Sequence, residues 1–174
     1  VGDKVVAGML KALHDLPQPT IARVQGAAFG GAVGLISCCD IAVATDQSSF
    51  ALSEVKIGMI PATISPFVIN AIGQRAARRY FATAESFGAD EAHRLGLISE
   101  IVHDSQLDSE VERILTAILQ NGPLAVRAAK RMIEDVAGAK ITPELVEHTC
   151  NGIAKIRVSD EGQEGLSAFL QKRK

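Results

Sequence analysis

The run PTIARVQGAAFGG at residues 19–31, followed by DIAVAT at 40–45, decides how this chain is built. Ile21, Ala22, Arg23 and Val24 predict a short strand that stops at Gln25 and Gly26. A small-residue segment, Gly26 to Gly34, then runs into Leu35-Ile36-Ser37-Cys38-Cys39 and predicts a buried helix that starts near Gly30 and Gly31. DIAVAT is compact and apolar, a second strand. A strand that passes through glycines into a helix and back into a strand is the beginning of an α/β layer.

The pattern extends both ways from that run. Upstream, Val5, Val6, Met9, Leu10, Leu13 and Leu16 recur at helical spacing until Pro17 and Pro19 end the helix. Downstream, residues 50–52 form another short strand before Ser53 and Glu54. Helices are predicted at 66–72 and 75–83, broken at Gly73, and at 89–95, closed by Gly96. Residues 98–102 make one more strand. The rest is helical, at about 105–120, 123–137, 142–159 and 161–171, with Pro123 and Pro143 in first-turn positions. The chain therefore reads as an α/β part over 1–104 and a helical part over 105–174. The predicted strands are few and short, and the first residue is Val1 rather than Met. Both features suggest the remainder of a longer chain, with further strands upstream.

Composition narrows the function. The 174 residues are 47% hydrophobic and 22% charged, an ordinary globular balance rather than a disordered one. No apolar run approaches the roughly 18 uncharged residues of a membrane span. Eighteen basic and twenty acidic side chains leave a formal charge of −2, which offers no electrostatic case for a nucleic-acid or anionic-membrane partner. The basic spots at Arg127 to Arg131 and Lys172 to Lys174 read as solvated helix faces. Aromatics are 4% with no Trp, so stacking on bases is unsupported as well. Adjacent Cys38 and Cys39, with Cys150, give an odd count, no disulfide framework and no metal-ligand spacing. His14, His93, His103 and His148 stand singly. A reducing cytoplasm fits this cysteine usage, and a mitochondrial matrix is compatible.

Two places could carry chemistry. The glycine turn before the helix at Gly30 and Gly31 leaves backbone N–H groups without intrahelical partners, and such a turn favours negative charge on a phosphate, a carboxylate or a thioester oxyanion. It lacks the Gly-Lys-Ser/Thr of a P-loop and the spacing of G-x-G-x-x-G. Close packing of helix on strand explains the same small residues equally well. The second place is Glu54, ahead of the apolar Val55 to Pro61 stretch. A carboxylate enclosed by such neighbours suits proton transfer near neutral pH. An exposed loop glutamate paired with Lys56 is the plainer alternative.

The order of these segments resembles the crotonase (enoyl-CoA hydratase/isomerase) superfamily. PTIARVQGAAFGG, CCDIAVAT, FALSEVKIGMIP, RRYFATAESFGADEAHRLGLISEIV, NGPLAVRAAKRMIE and EGLSAFLQKRK carry the likeness over nearly the whole chain. The SEVKIGMIPATISP stretch is most similar to bacterial methylglutaconyl-CoA hydratases. The resemblance implies a crotonase-like (ββα) spiral core, of which 1–104 is the C-terminal part. It also implies that the helices over 105–174 serve oligomerisation as a homotrimer or homohexamer. It implies an acyl-CoA thioester substrate, with coenzyme A part of the substrate and no separate cofactor or metal. On the family pattern the Gly31 N–H contributes to an oxyanion hole and Glu54 moves the α-proton, while Ala28, Phe29, Gly30 and Pro61 border the substrate.

Two departures bear on the reaction. Gly34 stands where the family's hydratases place a second glutamate, and Ala62-Thr63-Ile64-Ser65 replaces a glycine-rich stretch. The implied activity is hydration of an α,β-unsaturated acyl-CoA, a branched one included. The alternatives are a double-bond isomerase working with one glutamate and a non-catalytic acyl-CoA-binding subunit.

Overall fold

Helix α1 (Gly2–His14) leads into strand β1 (Ile21–Val24), strand β2 (Ala27–Phe29), helix α2 (Gly31–Cys38), strand β3 (Ile41–Thr45) and strand β4 (Ser49–Ala51) in a computed structural model that describes residues 2–173. A 3-10 turn, Glu54–Ile57, precedes α3 (Ser65–Thr83), β5 (Phe87–Gly88), α4 (Ala89–Leu95) and β6 (Glu100–Val102), and a second 3-10 turn, Asp104–Gln106, follows β6. Four helices complete the chain: α5 (Leu107–Leu119), α6 (Pro123–Val136), α7 (Pro143–Arg157) and α8 (Asp160–Leu170). Val1 and Lys174, the latter closing the basic tail, lie outside the described residues. Arg127 and Arg131 are exposed on α6, but Lys172 and Arg173 follow the end of α8 instead of lying on a helix face.

The residues form two compact units, one from those up to Leu16 with Thr20–Arg113, the other from Pro17–Pro19 with those from Ile114 on. The first unit holds two three-stranded sheets. One has the order β1-β3-β6 and is wholly parallel; the other has the order β2-β4-β5, with β4 parallel to β2 and antiparallel to β5. Ile21 pairs with Ile41, and this register is fixed just ahead of both strands. The Thr20 N–H and hydroxyl donate to Asp40 Oδ2 at 2.7 and 3.0 Å, while the Asp40 N–H donates to Thr20 Oγ1 at 3.0 Å. Around the sheets lies one core that includes Leu10, Val33, Phe50, Leu52, Val68 and Tyr80. The Phe50 ring stacks on Phe87 at 5.7 Å, and Phe87 meets Tyr80 at 4.3 Å.

Sequence periodicity predicts the helices closely, including the break in α3, where Gly73 has φ 77° and ψ 159°. Two strands correct the reading. Residues 26–34 are not simply a small-residue lead into the helix, because β2 forms within them, pairing Ala28 with Phe50. Strand β5, two residues long, is likewise held by its partner Phe50 and not by any pattern of its own.

In the second unit, α6, α7 and α8 contain no fully buried residue. Large apolar side chains stay open to solvent, among them Leu119, Ile133, Ile153, Phe169 and Leu170. Among the described residues, no helix is long and apolar enough to cross a membrane.

Candidate active site

The site forms where β2 turns into α2. Gly30, between them, takes φ 52° and ψ −116°, a conformation that side-chain-bearing residues avoid. Its N–H donates to the Ala51 carbonyl of β4 at 2.9 Å, continuing the β2–β4 pairing by one more bond. Its own carbonyl accepts from Val33 at 2.9 Å and Gly34 at 3.3 Å, which starts the helix. That pattern assigns no acceptor to the N–H groups of Gly31 and Ala32, at the positive end of α2.

Glu54 comes to the same turn from the end of β4. A Cβ on Gly30 would lie 3.0 Å from Glu54 Oε1 and 3.4 Å from the carboxyl carbon, so the carboxylate packs directly on the glycine backbone. Its other oxygen, Oε2, is buried and has no hydrogen-bond partner. Leaving a buried acceptor in this state costs about 1–3 kcal/mol, which singles out Glu54 against the general rule that buried polar atoms are paired.

The enclosure differs from the expectation. The apolar residues following Glu54 do not surround it, since Ile57, Met59 and Ile60 are 76%, 59% and 71% exposed. The 3-10 turn, ended at Gly58 with φ 75°, directs them outward and leaves Glu54 against α2. No ion pair joins Glu54 to Lys56 among the described residues.

Of the other residues, Ala28 is buried in β2, Phe29 beside it is 49% exposed, and Gly31 is the first residue of α2. Pro61 is buried in the segment that runs from Glu54 to α3. The structure thus brings Gly30 and Glu54 into contact at the start of α2, with Gly31 next in the chain. Ile64 is marked by the sequence only as part of a departure from the family pattern, not as a site residue. It is 2% exposed, and a Cβ on Gly34 would fall 2.2 Å from its Cγ2 and 2.7 Å from its Cβ. Both positions drew notice as separate departures from the family pattern, but nothing in a linear sequence marks them as complementary in volume.

An anion-favouring helix start beside an unpartnered carboxylate, on two small parallel-containing sheets, defines an α/β site for stabilising developing negative charge while moving a proton. The enoyl-CoA hydratase/isomerase family model matches residues 3–174, and the chain belongs to that family. Its α/β fold is that of the crotonases. An enoyl-CoA hydratase from Shewanella pealeana superposes with a TM-score of 0.93 at 48% identity, over 98% of this chain and 64% of that one. The crotonyl-CoA hydratase of Syntrophomonas wolfei is 32% identical over 176 residues, covering 100% of this chain and 65% of the relative. The short-chain-enoyl-CoA hydratase of Clostridium acetobutylicum is 29% identical over 175 residues, again covering 65% of the relative. The chain therefore spans less than two thirds of the length of these relatives.

Proposed function

We propose that the protein is an enoyl-CoA hydratase that adds water across the double bond of an α,β-unsaturated acyl-CoA, with branched, methylglutaconyl-like substrates included. The observation that carries this reading is the Glu54 carboxylate, packed on Gly30 with one buried oxygen lacking a partner. The names of the relatives point to the same chemistry. In this reading the Gly31 N–H polarises the thioester carbonyl and stabilises the enolate-like transition state. Glu54 moves the proton, and Ala28, Phe29, Gly30 and Pro61 border the acyl group. Coenzyme A enters as part of the substrate, and no further cofactor or metal takes part.

The exposed apolar side chains of α5 to α8 support assembly as a homotrimer or homohexamer through residues 105–174. A cytoplasmic location, without nucleic-acid or membrane partners, belongs to the same reading. A double-bond isomerase is the second reading. Ile64 against Gly34 favours it, because that contact leaves Glu54 without a second carboxylate at that position.

Full-length protein incubated with a panel of 2-enoyl- and 3-enoyl-CoA thioesters, 3-methylglutaconyl-CoA among them, is followed by mass spectrometry. Gain of one water by a 2-enoyl substrate is the expected result. An unchanged mass with a shifted double bond makes the protein an isomerase, and binding without turnover makes it an acyl-CoA-binding subunit. Glu54→Gln is expected to lower turnover by about 10²–10⁴-fold with its circular dichroism unchanged. Normal turnover in that variant removes Glu54 from the mechanism.

A further inference from the structure

Residues of α3 and α4 line a cleft of about 490 Å³ that includes neither the glycine turn nor Glu54. Its apolar part is Ile72, Ala76 and Leu95, which belong to the core of the first unit or pack against it. Its charged part is Arg75, Arg79, Arg94 and Glu91, three guanidinium groups against one carboxylate. A surplus of positive charge set on apolar ground suits an anion with an apolar body.

The arginines differ in what already holds them. Glu91 accepts from Arg94 with both oxygens and from the Tyr80 hydroxyl. Arg79 donates from Nε and Nη2 to Glu85 at 2.5 and 3.1 Å, and its guanidinium lies 5.3 Å from the centre of the Tyr80 ring. Both pairs use the Nε and Nη2 edge, so the Nη1 amino groups of Arg79 and Arg94 stay outside them. A guanidinium oriented in this way loses little further freedom when it binds a ligand. Arg75 has no carboxylate partner among the described residues. It lies one turn before Arg79 and just after the break at Gly73, in the first turn of the helical segment 74–83. The peptide dipoles of that segment add to its positive charge.

We propose that this cleft binds a phosphate monoester, its phosphoryl oxygens on Arg75 and on the Nη1 groups of Arg79 and Arg94, its ester group on Ile72, Ala76 and Leu95. A phosphoryl group offers three outer oxygens, one for each guanidinium. It carries a charge of about −1.5 to −2 at pH 7, which matches the surplus of the lining. A carboxylate offers two oxygens in one plane and a single charge, and so leaves one guanidinium unmet.

Calorimetric titration of the full-length protein at constant ionic strength tests the site, with phenyl phosphate, inorganic phosphate and benzoate as probes. Phenyl phosphate is expected to bind saturably, one per chain, and about tenfold more tightly than inorganic phosphate because its ring is taken out of water. Benzoate is expected to bind at least about tenfold more weakly than phenyl phosphate. Arg75→Gln is expected to weaken phenyl phosphate by about tenfold or more, whereas Arg127→Gln, which removes the same charge from α6, leaves its affinity unchanged. Binding of phenyl phosphate is expected to persist when coenzyme A is present at saturation.

Absence of saturable binding overturns the proposal, as does an Arg75→Gln variant with wild-type affinity. Benzoate as tight as phenyl phosphate overturns the choice of a phosphoryl group, and inorganic phosphate as tight as its phenyl ester overturns the apolar half of the site. Displacement by coenzyme A assigns the binding to the coenzyme's own phosphates and overturns the proposal as well. Each of these results leaves the hydratase reading where it stood, since none of them measures turnover.

Discussion

Glu91, on α4, is a strongly shifted carboxylate. Arg94 approaches it through Nε and Nη2, each at 2.6 Å, and the Tyr80 hydroxyl donates to it at 2.9 Å. The Arg94 hydrogen bonds, and after them the Tyr80 one, hold its pKa down at about 2 from an ordinary 4.5. A carboxylate depressed in the folded state contributes stability that is fully present above its unfolded pKa and is lost as pH falls through the folded value. Thermal unfolding followed from pH 4.5 down to about 2 is therefore expected to show a pH-dependent loss that Glu91→Gln flattens. The group is partly exposed to solvent, which screens the pair, so the effect is modest. Equal slopes for the two proteins would show that the cluster does not couple to folding. Cys38 is shifted the other way, its thiol raised to about 11 by burial and then by Cys39, so it behaves as a core residue and not as a nucleophile.

Among the elements, α6 shows how a helix end is completed from elsewhere in the chain. Gly122 precedes it with no side chain to cap, and Pro123 opens it. The cap comes from Glu161 on α8, whose carboxylate accepts from the Leu124 N–H at 2.9 Å and the Ala125 N–H at 2.8 Å. A negative group at the positive end of the helix adds a favourable charge–dipole term. Glu161→Ala is expected to cost about 1 kcal/mol in denaturant unfolding, the usual size of a lost N-cap. A change within error would assign the contact to solvent-exposed decoration. Elements of this kind were legible from sequence wherever a local rule governs them: apolar spacing for α1 and α5 to α8, first-turn prolines for α6 and α7, a glycine for the kink in α3. Strands β2 and β5 were not legible, because Ala28 and Phe87 become strand residues only by pairing with Phe50. The candidate site divides the same way. The glycine turn and Glu54 have local signatures, whereas the fit of Ile64 to Gly34 is a tertiary volume match between residues far apart in the chain.

At the scale of the whole molecule, Phe50 joins the two kinds of order. It is fully buried, pairs with both neighbours of β4, stacks on Phe87, and precedes the Ala51 carbonyl that accepts from Gly30. Phe50→Ala is expected to destabilise the first unit by about 3–5 kcal/mol, and Phe50→Leu by much less, as measured by chemical denaturation. An alanine variant within about 1 kcal/mol of wild type would mean that the surrounding side chains collapse into the cavity. The second unit rests on a different basis, since its helices bury no residue fully and expose large apolar ones. Surfaces of that kind gain stability when they are covered.

Strand β3 lies in the middle of its sheet, and both partners reach it from a distance. The clasp that leads β1 onto β3 joins residues 20 apart, and the bond from the Ala42 N–H to the Ser99 hydroxyl, beside the β3–β6 pairing, closes 57 residues. Among the described residues this sheet has no hairpin to act as a local nucleus, so large loops must close before either pairing repays the lost entropy. The parallel order of this sheet therefore makes acquisition of the fold slow. While β3 waits for its partners its edges are unprotected, and the time spent in that state sets how readily newly made chains stick to one another.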